Sequence, residues 1–191
     1  ATYLWSTGAT TQTITVGTAG TYSVTITDPA GCVASDAITI SVNPSPTVNL
    51  GADISACADE TVVLNAGNPG ANYLWNTGAT TQTINANTTG TYSVTVTNGF
   101  GCFASDVINV NIHALPTVEL GTPIDFCTGE NVTLDAGNPG ATYLWSTGAT
   151  TQTITTSTAG TYSVTVTNAF GCDKTDNITL TEHAAPIVDL G

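Results

Sequence analysis

Basic residues are almost absent from this chain of 191 residues. Lys174 stands alone against 14 carboxylates, and the formal net charge at pH 7 is −13. A nucleic-acid-binding surface needs clustered Lys and Arg to neutralise phosphates, and attachment to an anionic membrane surface needs the same residues. The composition therefore excludes nucleic acid as a partner and disfavours a membrane surface. Such an acidic surface instead suits a soluble extracellular protein that resists non-specific association.

Long apolar runs are also missing. The chain has no methionine, no recognisable signal peptide and no apolar run long enough to span a bilayer. Its apolar residues are mostly Val, Ile, Leu, Tyr and Ala, in short segments broken by Gly, Pro and Asn. Since no segment has sustained helical periodicity, the sequence predicts an all-β chain that does not insert into a membrane.

Histidine is scarce, and so are the arrangements that catalysis requires. His113 and His183 both lie in predicted linkers, and the matching position near the N-terminus is Asn43. This pattern supports neither a nucleophile–histidine arrangement nor a zinc site, and no glycine-rich phosphate loop opens a helix. The sequence therefore predicts that the protein is not an enzyme and has no cofactor.

What the chain does have is an internal repeat. Residues 1–15 return unchanged as 141–155, and three tryptophans, Trp5, Trp75 and Trp145, lie about 70 residues apart. We expect the chain to be a piece of a longer repetitive protein. The predicted divisions are a partial first repeat (1–45), a second repeat (46–115), a third repeat (116–185) and the start of a further repeat (186–191).

The second repeat illustrates the predicted strands. Alternation predicts an edge strand at 46–51, where Pro46 suits an edge, and residues 52–59 are predicted to form a loop. Tryptophan on the third strand and Gly-x-Tyr at the start of the penultimate strand are typical of an immunoglobulin-like β-sandwich. We therefore predict tandem immunoglobulin-like domains of about 70 residues in an elongated array. The other predicted strands, each bounded by turn residues, are 60–66, 73–75, 82–85, 92–97 and 103–112.

Aromatic residues are predicted to fill the cores. Gly90-Thr91-Tyr92 is similar to a tyrosine corner, in which the phenol bonds back to nearby backbone. Because about 70 residues is near the lower limit for a self-sufficient core, an additional staple is expected. The predicted core aromatics are Trp5, Trp75, Trp145, Tyr22, Tyr92 and Tyr162.

Five cysteines supply candidates for that staple. Cys57 and Cys102 recur at the same separation as Cys127 and Cys172, while Cys32 corresponds to Cys102 and would pair outside the chain. Paired cysteines in a small β domain that has the composition of a secreted protein predict disulfides. We favour bonds within each repeat, Cys57–Cys102 and Cys127–Cys172, because they leave each domain self-contained.

The alternative pairing, Cys57–Cys172, joins neighbouring repeats. It follows if two strands separate Trp75 from Tyr92, because the two cysteines of one repeat then lie at opposite ends of the sandwich. Bonded cysteines need Cα atoms within about 7 Å. If a single strand lies there, we expect Cys57 to lie beside Cys102.

Three aspartates occupy one position of the repeat, four residues after the Gly-Cys cysteine: Asp36, Asp106 and Asp176. A calcium site needs about six or more oxygen ligands, several of them carboxylates, and the other acidic residues do not keep a common position. The simpler interpretation is an aspartate that bonds to local backbone, with calcium as the alternative.

Three phrases together carry a resemblance: Tyr-Leu-Trp-Ser-Thr-Gly-Ala-Thr-Thr-Gln-Thr-Ile (3–14 and 143–154), Ala-Gly-Thr-Tyr-Ser-Val-Thr (19–25 and 159–165) and Gly-Cys (31–32, 101–102 and 171–172). They resemble the tandem immunoglobulin-like, PKD-like repeats of large surface adhesins from gliding and environmental bacteria. The resemblance covers the whole chain. It implies an extracellular or cell-surface location and export by the type IX secretion route.

Two functions are consistent with these features. The first is a spacer in a surface fibre or adhesin stalk, whose partners are the neighbouring repeats and, in a fibre, identical chains. The near-identity of the repeats favours it, since a dedicated binding site would require one repeat to differ. The alternative is a glycan- or surface-binding module that uses Tyr73, Trp75 or their equivalents, and it requires these rings to be exposed.

Overall fold

The computed structural model describes residues 1–184 and 186–188. Every regular element in these residues is a β-strand, and they contain no helix with the length and hydrophobicity needed to cross a bilayer. The strands are β1 (Thr2–Trp5), β2 (Gly20–Thr27), β3 (Val33–Ile40), β4 (Ile54–Cys57), β5 (Val63–Asn65), β6 (Asn72–Trp75), β7 (Thr83–Asn85), β8 (Gly90–Thr97), β9 (Phe103–His113), β10 (Ile124–Cys127), β11 (Val132–Asp135), β12 (Thr142–Trp145), β13 (Thr153–Thr156), β14 (Gly160–Thr167) and β15 (Asp173–His183).

Two sheets build the second repeat. One has four strands in the order β4-β9-β8-β6, and the other pairs β5 with β7. All pairs are antiparallel except β4 with β9, which run parallel. The third repeat has the same topology, with β10-β15-β14-β12 in one sheet and β11-β13 in the other.

The cores of the second and third repeats are formed by the alternate side chains of their strands that face inward. In β8 the side chains of Tyr92, Val94 and Val96 are buried, whereas the polar residues between them are half-buried. They form a cluster with Trp75, which is 1% exposed. Each fully buried apolar side chain of this size stabilises the fold by about 1.5–3 kcal/mol. The third repeat forms its own cluster around Trp145, Tyr162, Val164 and Val166.

The first repeat is less complete. Strands β1, β2 and β3 form a three-stranded sheet, and in the described residues no two-stranded sheet faces it. Trp5 and Tyr22 are consequently half-buried. The prediction that these two residues lie in a buried core was therefore wrong, since the strands that would cover them are not supplied by residues 1–45.

Two of the predicted elements in the second repeat were wrong. Residues 46–51 form no strand, because the Leu50 N–H donates to the side chain of Asp106 rather than to a neighbouring backbone carbonyl. The predicted loop at 52–59 contains β4, whose partner β9 lies about 50 residues later in the chain. The other five predicted strands overlap β5 to β9.

The predicted start of a further repeat, 186–191, lies partly outside the described residues, which omit 189–191. Residues 186–188 are described and form no regular element.

Candidate functional site at the joint between repeats

A disulfide links the second repeat to the third. Cys57 is the last residue of β4, and Cys172 immediately precedes β15. Their Cα atoms are 5.6 Å apart, although 115 residues separate them in sequence. The peptide chain crosses the same boundary through residues 114–116, so two covalent connections join these repeats.

The within-repeat bonds Cys57–Cys102 and Cys127–Cys172 were wrong predictions, and the structure forms the alternative. Cys57 is in register with His113 at the end of β9, whereas Cys102 precedes the first residue of that strand. Eleven residues of extended chain place the two cysteines about 36 Å apart, far beyond the roughly 7 Å that a disulfide allows.

The expectation that a single strand between Trp75 and Tyr92 places Cys57 beside Cys102 was also wrong. Only β7 lies between Trp75 and Tyr92, yet Cys57 does not lie beside Cys102. Strands β6 and β8 remain antiparallel, because a turn closed by the Trp75 N–H and the Ala79 carbonyl (2.9 Å) redirects the chain before β7 begins.

Three cysteines are free thiols in the described part of the chain. Cys32 and Cys127 are exposed, and Cys102 is half-buried. The Sγ of Cys102 lies 3.6 Å from the carbonyl oxygen of Asn43, a residue that corresponds to His113 in the next repeat. Cys102 thus occupies at the first joint the place that Cys172 occupies at the second. That Cys32 pairs outside the chain stays a prediction.

Non-covalent contacts surround the disulfide. The rings of His113 and Phe170 are stacked, with centroids 3.9 Å apart and planes inclined by 12°. The Asn168 side-chain amide donates to the Ala114 carbonyl at 2.9 Å, and at the first joint Asn98 makes the equivalent bond to another linker carbonyl. Sequence analysis missed these contacts, although the recurring Asn-x-Phe-Gly-Cys at 98–102 and 168–172 is a signal that could have found them.

The same asparagine shapes the turn that carries the cysteine. The Asn168 side-chain oxygen accepts hydrogen bonds from the backbone N–H groups of Phe170 (2.9 Å) and Cys172 (3.1 Å). Gly171 between them has φ of +85°, a conformation that glycine adopts without a steric cost. The turn therefore presents Cys172 and Phe170 to the preceding repeat in a fixed arrangement.

His113 also contacts a serine, which raises the question of catalysis. Its Nε2 lies 2.9 Å from the Ser55 Oγ, within the range of a nucleophile–base pair. In the third repeat, however, Asp125 replaces the serine and contacts the Nε2 of His183 at 3.0 Å. One face of the His113 ring is covered by Phe170. A position that alternates between Ser and Asp fits a joint contact better than a nucleophile.

The candidate calcium ligands have backbone partners. Asp106 Oδ2 accepts a hydrogen bond from the Leu50 N–H at 2.7 Å, and Asp176 Oδ2 accepts one from the Leu120 N–H at the same distance. Asp36 accepts from the N–H of Ala37. In residues 1–184 and 186–188, no group of three or more His, Cys, Asp or Glu residues could hold a metal ion. Asp106 and Asp176 therefore tie distant chain segments together, whereas Asp36 bonds to the next residue of its own strand.

Hydrogen bonds also hold the pKa of the Asp106 carboxyl below its usual value. The largest contribution comes from the Leu50 backbone N–H, followed by the Val107 backbone N–H. Donors that bind the charged form favour ionisation. Asn109 lowers the pKa of Asp53 in the same way, through its backbone N–H and then its side-chain amide. Both carboxylates fix loop segments to β9.

The aromatic candidates are structural. The Tyr92 phenol donates to the Thr88 carbonyl at 3.0 Å, which is the bond that a tyrosine corner requires. Tyr73 donates to the Gly67 carbonyl at 2.9 Å and is 9% exposed. Trp75 is 1% exposed, and its indole N–H is bonded to the Thr81 carbonyl. Neither ring is open for stacking on a sugar.

Comparison with known proteins identifies the fold class. No protein-family model and no curated protein matches the chain. A structure of three immunoglobulin domains of titin, in a Glu-to-Ala variant, is 15% identical over 95% of this chain and 88% of that chain, with a TM-score of 0.51. The insect immune protein hemolin is 16% identical over 85% of this chain and 56% of that chain, with a TM-score of 0.43. The titin match confirms the predicted class, an all-β chain of tandem immunoglobulin-like domains.

Proposed function

We propose that this chain is a spacer segment of an extracellular surface fibre or adhesin stalk, in which each repeat is covalently tied to the next. The observation that carries the proposal is the Cys57–Cys172 disulfide. Such a bond fixes the spacing of two repeats and makes no pocket. Since disulfides persist in oxidising compartments, the bond supports the extracellular part of the proposal.

The joint contacts support the same role. A linker of three residues, the His113–Phe170 stack and the Asn168–Ala114 hydrogen bond all restrict movement between the repeats. Asn98 and Cys102 make corresponding contacts at the first joint. Repetition of one joint along a chain gives a regular rod, because each unit contacts only its neighbours. No catalytic step and no cofactor form part of the proposal.

Glycan binding through Tyr73 or Trp75 is the weaker candidate, because both rings are buried. The aromatic rings exposed in the second and third repeats are Phe100, Phe103 and Phe170, and Phe170 is engaged by His113. A glycan array probed with the oxidised chain is expected to give no specific signal. Reproducible binding that Tyr73→Phe or Trp75→Phe reduces would favour this alternative over the spacer.

Small-angle scattering tests the spacer directly. Since β9 and β15 each extend about 36 Å and the eight residues of β3 about 26 Å, three repeats joined end to end should have a maximum dimension of about 100 Å. We expect this dimension for the oxidised chain, and a broader distribution of dimensions for Cys57→Ser. The matched control Cys102→Ser removes a cysteine that forms no disulfide in this chain and keeps a donor in its place, so it should leave the profile unchanged. A compact particle with a maximum dimension near 60 Å would contradict the proposal.

A further inference from the structure

We propose that the disulfide and the two chain segments it joins form a continuous covalent path that carries tension through the second and third repeats without releasing their folded length. The inference rests on the spacer function proposed above and adds a mechanical property to it. Its basis is where the two bonded cysteines lie within their repeats. Cys57 ends the segment that opens the second repeat, and Cys172 immediately precedes the strand that closes the third.

The path through the second repeat follows residues 50–57. Leu50 is anchored to Asp106 near the start of β9, and Cys57 is in register with His113 at its end. Segment 50–57 therefore runs alongside residues 106–113 of β9. Because this segment advances one residue for each residue of β9, as the contacts of Leu50 and Asp53 and the register of β4 show, a pull on its two ends finds little hidden length to release.

The path through the third repeat follows β15. Cys172 receives the tension at the joint, and β15 then runs through 11 residues to His183 at the other end of the repeat. Extended chain has a rise of about 3.3 Å per residue, close to its limit of about 3.3–3.6 Å. The covalent path from 50 to 183 thus consists of two segments that each run along a strand, joined by one disulfide.

Everything between the two cysteines is bypassed. The 115-residue separation between Cys57 and Cys172 includes Trp75, Trp145 and most of both hydrophobic clusters. Force applied to the chain ends passes through the disulfide and does not stretch these residues. Both cores can therefore open and close while the distance between the chain ends stays nearly constant.

A second segment with the same geometry, residues 102–127, runs beside the first path, but it lies inside the closed loop and its two end cysteines are free thiols. Strand β9 follows Cys102 through the second repeat, and the linker continues it into the segment that ends at Cys127 in the third. In each of these repeats the first path and this segment are adjacent, since β4 pairs with β9 and β10 pairs with β15, both in parallel. In the described residues this second segment has no disulfide at either end, so the tension runs along the first path alone.

Single-molecule force spectroscopy on the whole chain, held at its two ends, tests this inference. In the oxidised wild type, only residues outside the closed loop can extend, and residues 1–45 contribute about 150 Å at 3.4 Å per residue. The variant Cys57→Ser opens the loop, and unfolding should then release an additional contour length of about 390 Å for the 115 residues. Cys102→Ser, which alters the equivalent cysteine at a joint without a bond, should extend like the wild type.

Reduction of a held wild-type chain gives the same comparison without a substitution. Peptide mapping first verifies the Cys57–Cys172 bond, and a reducing agent added under constant force should produce the step of about 390 Å. Equal extensions of oxidised wild type and Cys57→Ser would overturn the inference, as would a release of the loop length from mapped, oxidised chains. The spacer proposal fails on a different result, namely a compact particle in scattering.

Discussion

At the scale of single residues, the Asp106 carboxylate accepts a hydrogen bond that a backbone carbonyl would accept if residues 46–51 formed a strand. This carboxylate binds the Leu50 N–H at 2.7 Å and so fixes residues 46–51 without a backbone partner. Asp176 repeats the contact with Leu120. The sequence showed that an aspartate recurs at this position, but it did not show its partner, since the bonded N–H lies 56 residues earlier.

This contact predicts a pH dependence of stability. The pKa of Asp106 is lowered from its ordinary value of 3.8, first by the Leu50 N–H and then by the Val107 N–H. A group whose pKa is lower in the folded state stabilises the fold above its unfolded pKa, and this stabilisation is lost as pH falls through the folded pKa. When the pH is lowered below about 4, we expect the urea concentration at the unfolding midpoint of the wild type to decrease. In Asp106→Asn this decrease should be smaller.

The control is Asp59→Asn, which removes a carboxylate from the loop after β4 and should keep the wild-type dependence. Urea titrations at pH 7 and at pH 3, followed by tryptophan fluorescence, provide the comparison. If the wild type and Asp106→Asn lose the same stability between pH 7 and pH 3, the Leu50 contact does not depend on the ionised carboxylate.

At the scale of elements, local pattern located five strands of the second repeat and missed one. Strand β8 alternates buried and polar side chains over eight residues, so its period is visible in the sequence. Strand β4 has four residues, Ile54–Cys57, and it exists because β9 accepts it in parallel. Pairing between distant segments is not encoded in the local alternation of either.

The missed strand also decided the disulfide. With 52–59 taken as a loop, nothing fixed where Cys57 lay relative to β9, and the bond within the repeat remained open. The register of β4 with β9 places Cys57 beside His113, which leaves the next repeat as the source of a partner. The candidate site was therefore correct in its residue types but wrong in its favoured pairing.

One turn per repeat depends on an asparagine whose importance the sequence does not reveal. Asn68 has φ of +52°, and its side-chain amide donates to the carbonyls of Thr47 (2.8 Å) and Ala66 (3.0 Å). Replacement by alanine loses these bonds and puts in the left-handed region a residue that tolerates it less well than asparagine does, which together should cost about 2–3 kcal/mol. Replacement by glycine loses only the bonds and should cost about 1–1.5 kcal/mol.

The difference between Asn68→Ala and Asn68→Gly separates the two causes, and the free energy of unfolding in urea measures it. Asn138, with φ of +53° and a bond to the Thr117 carbonyl, allows the same test in the third repeat. If alanine and glycine cost the same, the left-handed conformation is not a source of the destabilisation.

At the scale of the whole molecule, the joint makes neighbouring repeats depend on one another. Each of the second and third repeats has its own hydrophobic cluster, so each has the core that independent folding requires. The disulfide closes a loop that spans both clusters. The disulfide therefore lowers the entropy of the unfolded chain by its full amount only when both repeats are unfolded. This couples the unfolding of the two repeats.

The double variant Cys57→Ser/Cys172→Ser should weaken that coupling. On the chain-entropy relation, a closed loop of 115 residues stabilises the folded state by up to about 5 kcal/mol. Trp75 and Trp145, each buried in one repeat, report the unfolding of both in urea by fluorescence. We expect the oxidised wild type to unfold at higher urea and in a single transition, and the double variant to unfold at lower urea in broader or separate transitions. The control Cys102→Ser/Cys127→Ser removes the same number of cysteines and should match the wild type. If both double variants lose the same free energy of unfolding, the disulfide contributes nothing beyond the cysteine side chains themselves.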